Sequence, residues 1–202
     1  MDAATFAKED RKYSALWQNG YMDANWGRMA RKALITMHNA SGKSIVDFGF
    51  GRGSAMDYFE GHGFHPQGVD ISAYAVEQQR KKGREAYQAS LDNLHMFPEH
   101  RFNAGFCNDV MEHIPEENVA PSLDEMARVC SEYLFISVCP TPSHHLSLEG
   151  ENLHLTVRPV EWWEQAFSQY GDVERLKFWL SRSARYVVYL RGRPGSAHKY
   201  YS

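Results

Sequence analysis

The residue types best suited to chemistry fall in two stretches. In the first, Asp47-Phe48-Gly49-Phe50-Gly51-Arg52-Gly53, a carboxylate stands ahead of three glycines at alternate positions. Glycines reach positive φ and let a ligand approach the backbone closely. The helix-compatible run from Ser54 adds the free N–H groups of a helix start. A carboxylate beside such a loop repels a pyrophosphate and suits a cationic ligand. A second acid, Asp70, ends Gly68-Val69-Asp70-Ile71. That is about 20 residues further on, where a nucleotide-binding α/β unit places an acid for ribose hydroxyls. The spacing is not the G-x-G-x-x-G of a dinucleotide site, and no Lys-Ser or Lys-Thr follows as in a P-loop. The second stretch, Cys107-Asn108-Asp109-Val110-Met111-Glu112-His113, joins acids to an imidazole, and His144, His145 and His154 come later. Imidazole titrates near neutrality and suits proton removal from a hydroxyl or an ammonium. Acid and imidazole together also suit a divalent ion.

The elements that must hold these residues alternate. Ser44 to Phe48 reads as a buried strand, and a helix follows Gly53 and stops at Gly61-His62-Gly63. Gln67 to Asp70 is a second strand. Residues 72–82 form a helix with Ser72 as N-cap and Arg80, Lys81 and Lys82 at its end, which suits the helix dipole. Glu85 to Ala89 is a third strand, Arg101 to Asn108 a fourth, Glu116 to Ser131 a helix and Tyr133 to Cys139 a fifth strand. A helix from Pro159 to Gln169 precedes two last strands, 174–180 and 185–191. Alternation implies a parallel sheet covered by helices on both faces, with an antiparallel strand from the final pair at its edge. Ahead of this core, residues 5–40 are mostly helical, with Tyr13, Leu16 and Trp17 on one face.

Here the sequence resembles the class I S-adenosylmethionine (SAM)-dependent methyltransferases. Val46 to Gly53 is similar to their motif I, Gly68 to Ile71 to motif II, and Arg101 to Pro115 to motif IV and its following turn. Two departures stand out: Asn103 replaces the usual Asp at the fourth strand's start, and Gly105 lies within that strand. The resemblance spans about residues 40–192. It implies an α/β, Rossmann-like, doubly wound sheet of seven strands in order 3-2-1-4-5-7-6, with helices on both faces. The expected organisation is an N-terminal helical cap over 1–40, a SAM-binding core over 41–192 and a disordered tail over 193–202.

The resemblance also implies the site. SAM is the expected cofactor and S-adenosylhomocysteine the product. Asp47, Gly49, Gly51, Gly53, Asp70, Ile71, Ser90, Leu91 and Asn108 are expected around it, with Tyr13, Trp17 and Arg28 over its methionine end. His113, His145 and His154 are the candidate catalytic bases. Asp109 or Glu112 with His113 and a loop histidine makes a metal conceivable. The same Glu-His pair orients the turn in metal-free members, so no metal ligand is assigned. His154-Leu-Thr-x-x-Pro-x-x-Trp-Trp is similar to methyltransferases of sugar and surface-glycan biosynthesis. The expectation is O-methylation of a small molecule or glycan. An N-methyltransferase of a small amine and a non-catalytic SAM-binding protein are the alternatives.

Composition bounds this reading. A chain of 202 residues can bury a substantial single core. Its net charge of −3 argues against a broad nucleic-acid footprint. No apolar run is long enough to span a bilayer, and Met1-Asp2-Ala3-Ala4-Thr5 lacks the start of a signal peptide. Cys107, Cys130 and Cys139 are odd in number and unpaired in pattern, as for reduced thiols. The expected setting is the cytoplasm, the expected partner a small-molecule or glycan acceptor.

Overall fold

A computed structural model describes residues 1–21, 26–36, 40–176 and 183–190. The side chains of Arg28 and Trp26, the segment 177–182 and the tail beyond residue 190 lie outside the described residues.

Five strands run parallel to one another: β1 (Ser44–Phe48), β2 (His65–Asp70), β3 (Ala86–Gln88), β4 (Phe102–Asn108) and β5 (Cys130–Val138). They are joined through helices α3 (Ser54–Glu60), α4 (Ala73–Lys81) and α5 (Glu116–Val129), which follow α1 (Ala3–Gln18) and α2 (Trp26–Thr36). Helix α6 (Val160–Ser168) leads into β6 (Asp172–Arg175) and β7 (Ala184–Tyr189). The sheet order is β3-β2-β1-β4-β5-β7-β6, as expected. β7 runs antiparallel to both β5 and β6, so the reversed strand is interior and the edge strand β6 points the same way as β5, not antiparallel at the edge as the sequence suggested.

Several strand boundaries differ from the sequence reading, most plainly in β5, β3 and β6. β5 begins at Cys130 rather than Tyr133, because Cys130 and Ser131 are buried and extend the pairing beside β4. β3 is shorter than Glu85 to Ala89, since only Ala86 to Gln88 face β2. β6 is described over 172–175 and so starts two residues before the expected 174, its register set by Asp172 opposite Tyr189 and Arg175 opposite Tyr186; the expected positions 177–180 lie outside the described residues.

The core lies on both faces of the sheet. On one face Phe59, Phe106 and Phe135 pack together, the last two stacked with centroids 5.3 Å apart. On the other Phe48, Leu134, Trp163 and Phe167 belong to a larger cluster. Gly105 belongs to this packing. A Cβ there would lie 2.7 Å from Leu134 Cδ2 and 2.7 Å from Phe48 Cε2, so a β-branched residue has no room. Asn103 is structural as well. Its Oδ1 accepts from Ser44 Oγ at 2.7 Å, and its Nδ2 donates to Glu132 Oε1 at 2.8 Å. An Asp would set a carboxylate against Glu132.

Candidate active site

The carboxyl ends of β1, β2 and β4 come together under α1, at the end of an open α/β sheet where ligands bind. Glycine is required at the first turn. Gly49 has φ 72° and Gly51 φ 53°, both left-handed. Asp70, at the end of β2, clamps the loop: Oδ2 accepts from the Gly51 N–H and Oδ1 from the Ser72 N–H, each at 2.8 Å. Burial pushes the Asp70 carboxyl up to about 6, against the pull of these two N–H donors. A carboxylate offers about four acceptor positions, so two remain for a diol.

Helix α1 forms the roof. Glu9, Tyr13 and Trp17 are spaced four residues apart, share one helical face and all line the cavity beneath. The helix is anchored by Asp2 as N-cap on the Thr5 N–H, by Ser14 Oγ 2.8 Å from Ser72 Oγ, and by Asp10 accepting from the Ala73 N–H at 2.8 Å. The Trp17 indole lies over Gly51 so closely that a Cβ there would stand 2.6 Å from its ring. Glu9 is buried and ion-paired with Lys12.

The cavity holds about 360 Å³, within the usual range for small-ligand sites. Its wall joins both stretches singled out from sequence. Gly49, Gly51, Asp70, Ile71, Ser90 and Leu91 line one part, and His113, His144, His145 and His154 another. Three expected residues do not line it. Asp47 and Asn108 are buried behind it, with Asn108 Oδ1 accepting from Ser137 Oγ at 2.9 Å. Gly53 starts α3 and faces Gln79, whose side chain donates to Arg52 O at 2.7 Å. These three shape the loop from outside the cavity.

The histidines differ in setting. His113 closes a short 3-10 turn, Met111–His113; its Nδ1 lies 3.0 Å from Leu153 O and 2.9 Å from Tyr13 Oη. A carbonyl only accepts, so Nδ1 carries the proton and the lone pair sits on Nε2. Burial, then the neighbouring His154, pushes His113 down to about 3, so it is neutral at physiological pH. His154 Nδ1 is likewise 2.6 Å from Thr141 O, and the two rings meet edge to face with centroids 4.8 Å apart. His145 is exposed at the cavity rim and meets Tyr21 edge on at 5.4 Å.

Three further residues enter the site. Asp109 lines the cavity in a left-handed conformation, φ 53°, rare for a residue with a Cβ. Its N–H donates to Ser137 O at 3.0 Å and its Oδ1 accepts from Ser137 Oγ at 2.8 Å. Asp92, in the loop after β3, is paired with the Met1 amine. Glu9 was legible in principle, four residues before Tyr13 on the same face. Nothing local marks Asp92 beyond its place two residues after Ser90.

Residues 46–133 match the family described as methyltransferase domain. No curated protein matches the sequence. Among solved structures, the chain is similar to the 1,6-didemethyltoxoflavin-N1-methyltransferase of Burkholderia thailandensis with bound S-adenosylhomocysteine. The identity is 16%, the TM-score 0.67, and the alignment covers 92% of this chain and 88% of that one. It is also similar to the magnesium protoporphyrin IX methyltransferase of Synechocystis PCC 6803 with bound S-adenosylhomocysteine, at 15% identity, TM-score 0.68, and 92% and 99% of the two chains. The CurJ carbon methyltransferase matches at 14% identity, TM-score 0.64, over 82% of this chain and 54% of that one.

Proposed function

We propose that this chain is a class I SAM-dependent methyltransferase and that it methylates a hydroxyl oxygen of a small molecule or sugar; the methyltransferase-domain match over residues 46–133 and the fold support the reading. One observation carries the reading. A single cavity is lined by Asp70 and the glycine loop and also by four histidines, so a cofactor and a base would share one enclosure.

The residues present fit the cofactor. Asp70 keeps acceptor positions for the ribose hydroxyls, and the backbone at Gly49 and Gly51 carries no side chain to exclude a ligand. Ile71 and Leu91 offer apolar flanks for the adenine, with the Ser90 hydroxyl as its polar neighbour. Tyr13 and Trp17 on α1 would cover the methionine end. SAM, when bound, supplies a methyl already activated on a sulfonium.

The protein then has two tasks, alignment and proton removal. Holding acceptor and methyl in line in a cavity that excludes water lowers the barrier without covalent help from the chain. Bound SAM would supply the methyl to the acceptor oxygen and leave as S-adenosylhomocysteine, its sulfur keeping the pair of the broken sulfur–carbon bond. The hydroxyl proton passes to an imidazole. His145 is taken as the base: it stands exposed at the cavity rim, whereas burial holds the neighbouring His113 at about 3, too weak a base near neutrality. Neighbours that act on nitrogen and on carbon show that the fold does not dictate the acceptor atom.

The test is methyl transfer from isotopically labelled SAM to matched panels of sugars, phenols and amines. Label on hydroxyls, with little on amines, is the expected result. Transfer confined to amines would move the reading to N-methylation. Tight S-adenosylhomocysteine binding with no transfer across every panel would favour a binding protein.

A further inference from the structure

The turn after β4 and the loop before α6 meet at a buried carboxylate and two imidazoles. Glu112, His113 and His154 each offer a ligand atom, all within 4.8 Å of one another. Around an ion held at about 2.1 Å in tetrahedral geometry, donors stand about 3.4 Å apart, so modest side-chain rotation would close the set.

The surroundings prepare these three groups in a specific way. The Glu112 main chain fixes the loop, its carbonyl accepting from the Leu155 N–H at 2.8 Å and the Thr156 N–H at 3.0 Å. Thr156 Oγ1 adds a bond to Ile114 O at 2.6 Å. His154 is thereby brought beside residues some forty positions earlier. Both imidazoles use Nδ1 on a carbonyl, Leu153 O for His113 and Thr141 O for His154. That is the outer hydrogen bond metal-bound histidines make, and it leaves the other nitrogen free to ligate. The Glu112 side chain is fully buried. Its Oε1 accepts from the Cys139 N–H at 2.8 Å, yet its Oε2 has no hydrogen-bond partner. Buried polar oxygens are rarely left so. Anchoring the loop needs only the carbonyl and Oε1; it gives no account of Oε2.

We propose that Glu112, His113 and His154 bind a divalent first-row metal ion, with one position left open toward the cavity. Two nitrogens and one oxygen suit Zn²⁺, Fe²⁺, Co²⁺ or Mn²⁺ better than Mg²⁺ or Ca²⁺, which take mostly oxygen ligands. Three protein ligands with an open fourth position mark a catalytic rather than a structural ion. The sequence expectation assigned no metal, because Glu-His can serve the turn alone. The partnerless oxygen and the two carbonyl-held rings are what the sequence does not display. The ion's use in transfer, drawing an acceptor oxygen to the open position, rests on the hydroxyl reading above. Its binding does not.

The experiment is titration of Co²⁺ into chelator-treated full-length protein without acceptor or cofactor, followed by visible absorption and calorimetry, with Zn²⁺ as competitor. One equivalent binding at micromolar concentration or tighter, with a d–d band that Zn²⁺ abolishes, is expected. His154→Ala and Glu112→Gln should each weaken it by about 100-fold or more, exceeding the loss of an outer hydrogen bond. Should Glu112→Gln fail to fold, judged by near-ultraviolet circular dichroism, the half-buried loop residue His154 still carries the test. No binding by wild type, or binding that His154→Ala leaves unchanged, overturns the proposal. A failed hydroxyl panel with intact Co²⁺ binding would overturn only the acceptor reading.

Discussion

Replacing Asp70 by Asn tests the cofactor half of the site with the least change of shape. The carboxylate accepts two buried N–H groups at 2.8 Å, from Gly51 and Ser72. A carboxamide has one oxygen, so one of these donors would face an NH₂. The ribose would also exchange two hydrogen bonds to a charged acceptor, at about 1.5–3 kcal/mol each, for neutral ones at about 1 kcal/mol. A net loss of about 2–3 kcal/mol corresponds to about 30- to 150-fold in Kd. The pH dependence supplies a second arm. The folded pKa of about 6 lies above the ordinary 3.8, so the ionised group is the one that burial penalises. Its contribution to stability is greatest below about pH 4 and falls as pH rises through 6, so at neutral pH Asn relieves that penalty and offsets part of the lost hydrogen bond. Cofactor binding runs the other way, because ribose donors favour the carboxylate. Wild-type affinity should be level above pH 7 and fall about tenfold between pH 7 and 5, while Asp70→Asn stays flat. Calorimetric titration of S-adenosylhomocysteine at several pH values reads both arms. Affinity within threefold of wild type, or an equal pH slope in the two proteins, would refute this role for Asp70.

Three further outcomes are expected. Gly51→Ala places a methyl 2.6 Å from the Trp17 ring at φ 53° and should weaken S-adenosylhomocysteine binding at least tenfold. Adding Trp17→Ala should restore part of it, a non-additivity visible by calorimetry. Asn103→Asp should destabilise the fold by about 1–3 kcal/mol, since Glu132 loses a donor and gains a like charge, and Glu132→Gln should rescue it; urea unfolding measures both. His145→Ala should lower kcat by about 10²- to 10⁴-fold while S-adenosylhomocysteine affinity holds, as for a lost general base; an unchanged kcat on the identified acceptor removes His145 from that role.

The sheet was legible because its strands repeat one local pattern, an apolar run ending in a polar or glycine residue. Asp47 and Asp70 mark two strand ends directly. The inner loop residues were legible as a group, but their roles divided along a distinction no spacing carries. Gly49 and Gly51 line the cavity while Gly53, equally spaced, turns away toward Gln79. Which loop histidine meets His113 was not visible either. It depends on main-chain bonds from Glu112 to residues 155 and 156, which link distant positions without side-chain signature. Gly105, a departure from the family pattern, is a packing requirement set by Phe48 and Leu134.

The Trp17 indole that crowds Gly51 is also a chromophore built into the cavity wall. Its emission colour and lifetime depend on what fills the space beside it, so ligand arrival alters light that the protein already emits. Trp162 and Trp163, edge to face in α6 with Trp163 fully buried, sit in the core and outside the cavity lining. In a variant with Trp26 and Trp179 replaced by Phe, they supply the background against which the Trp17 signal can be read, without label, dye or coupled reaction.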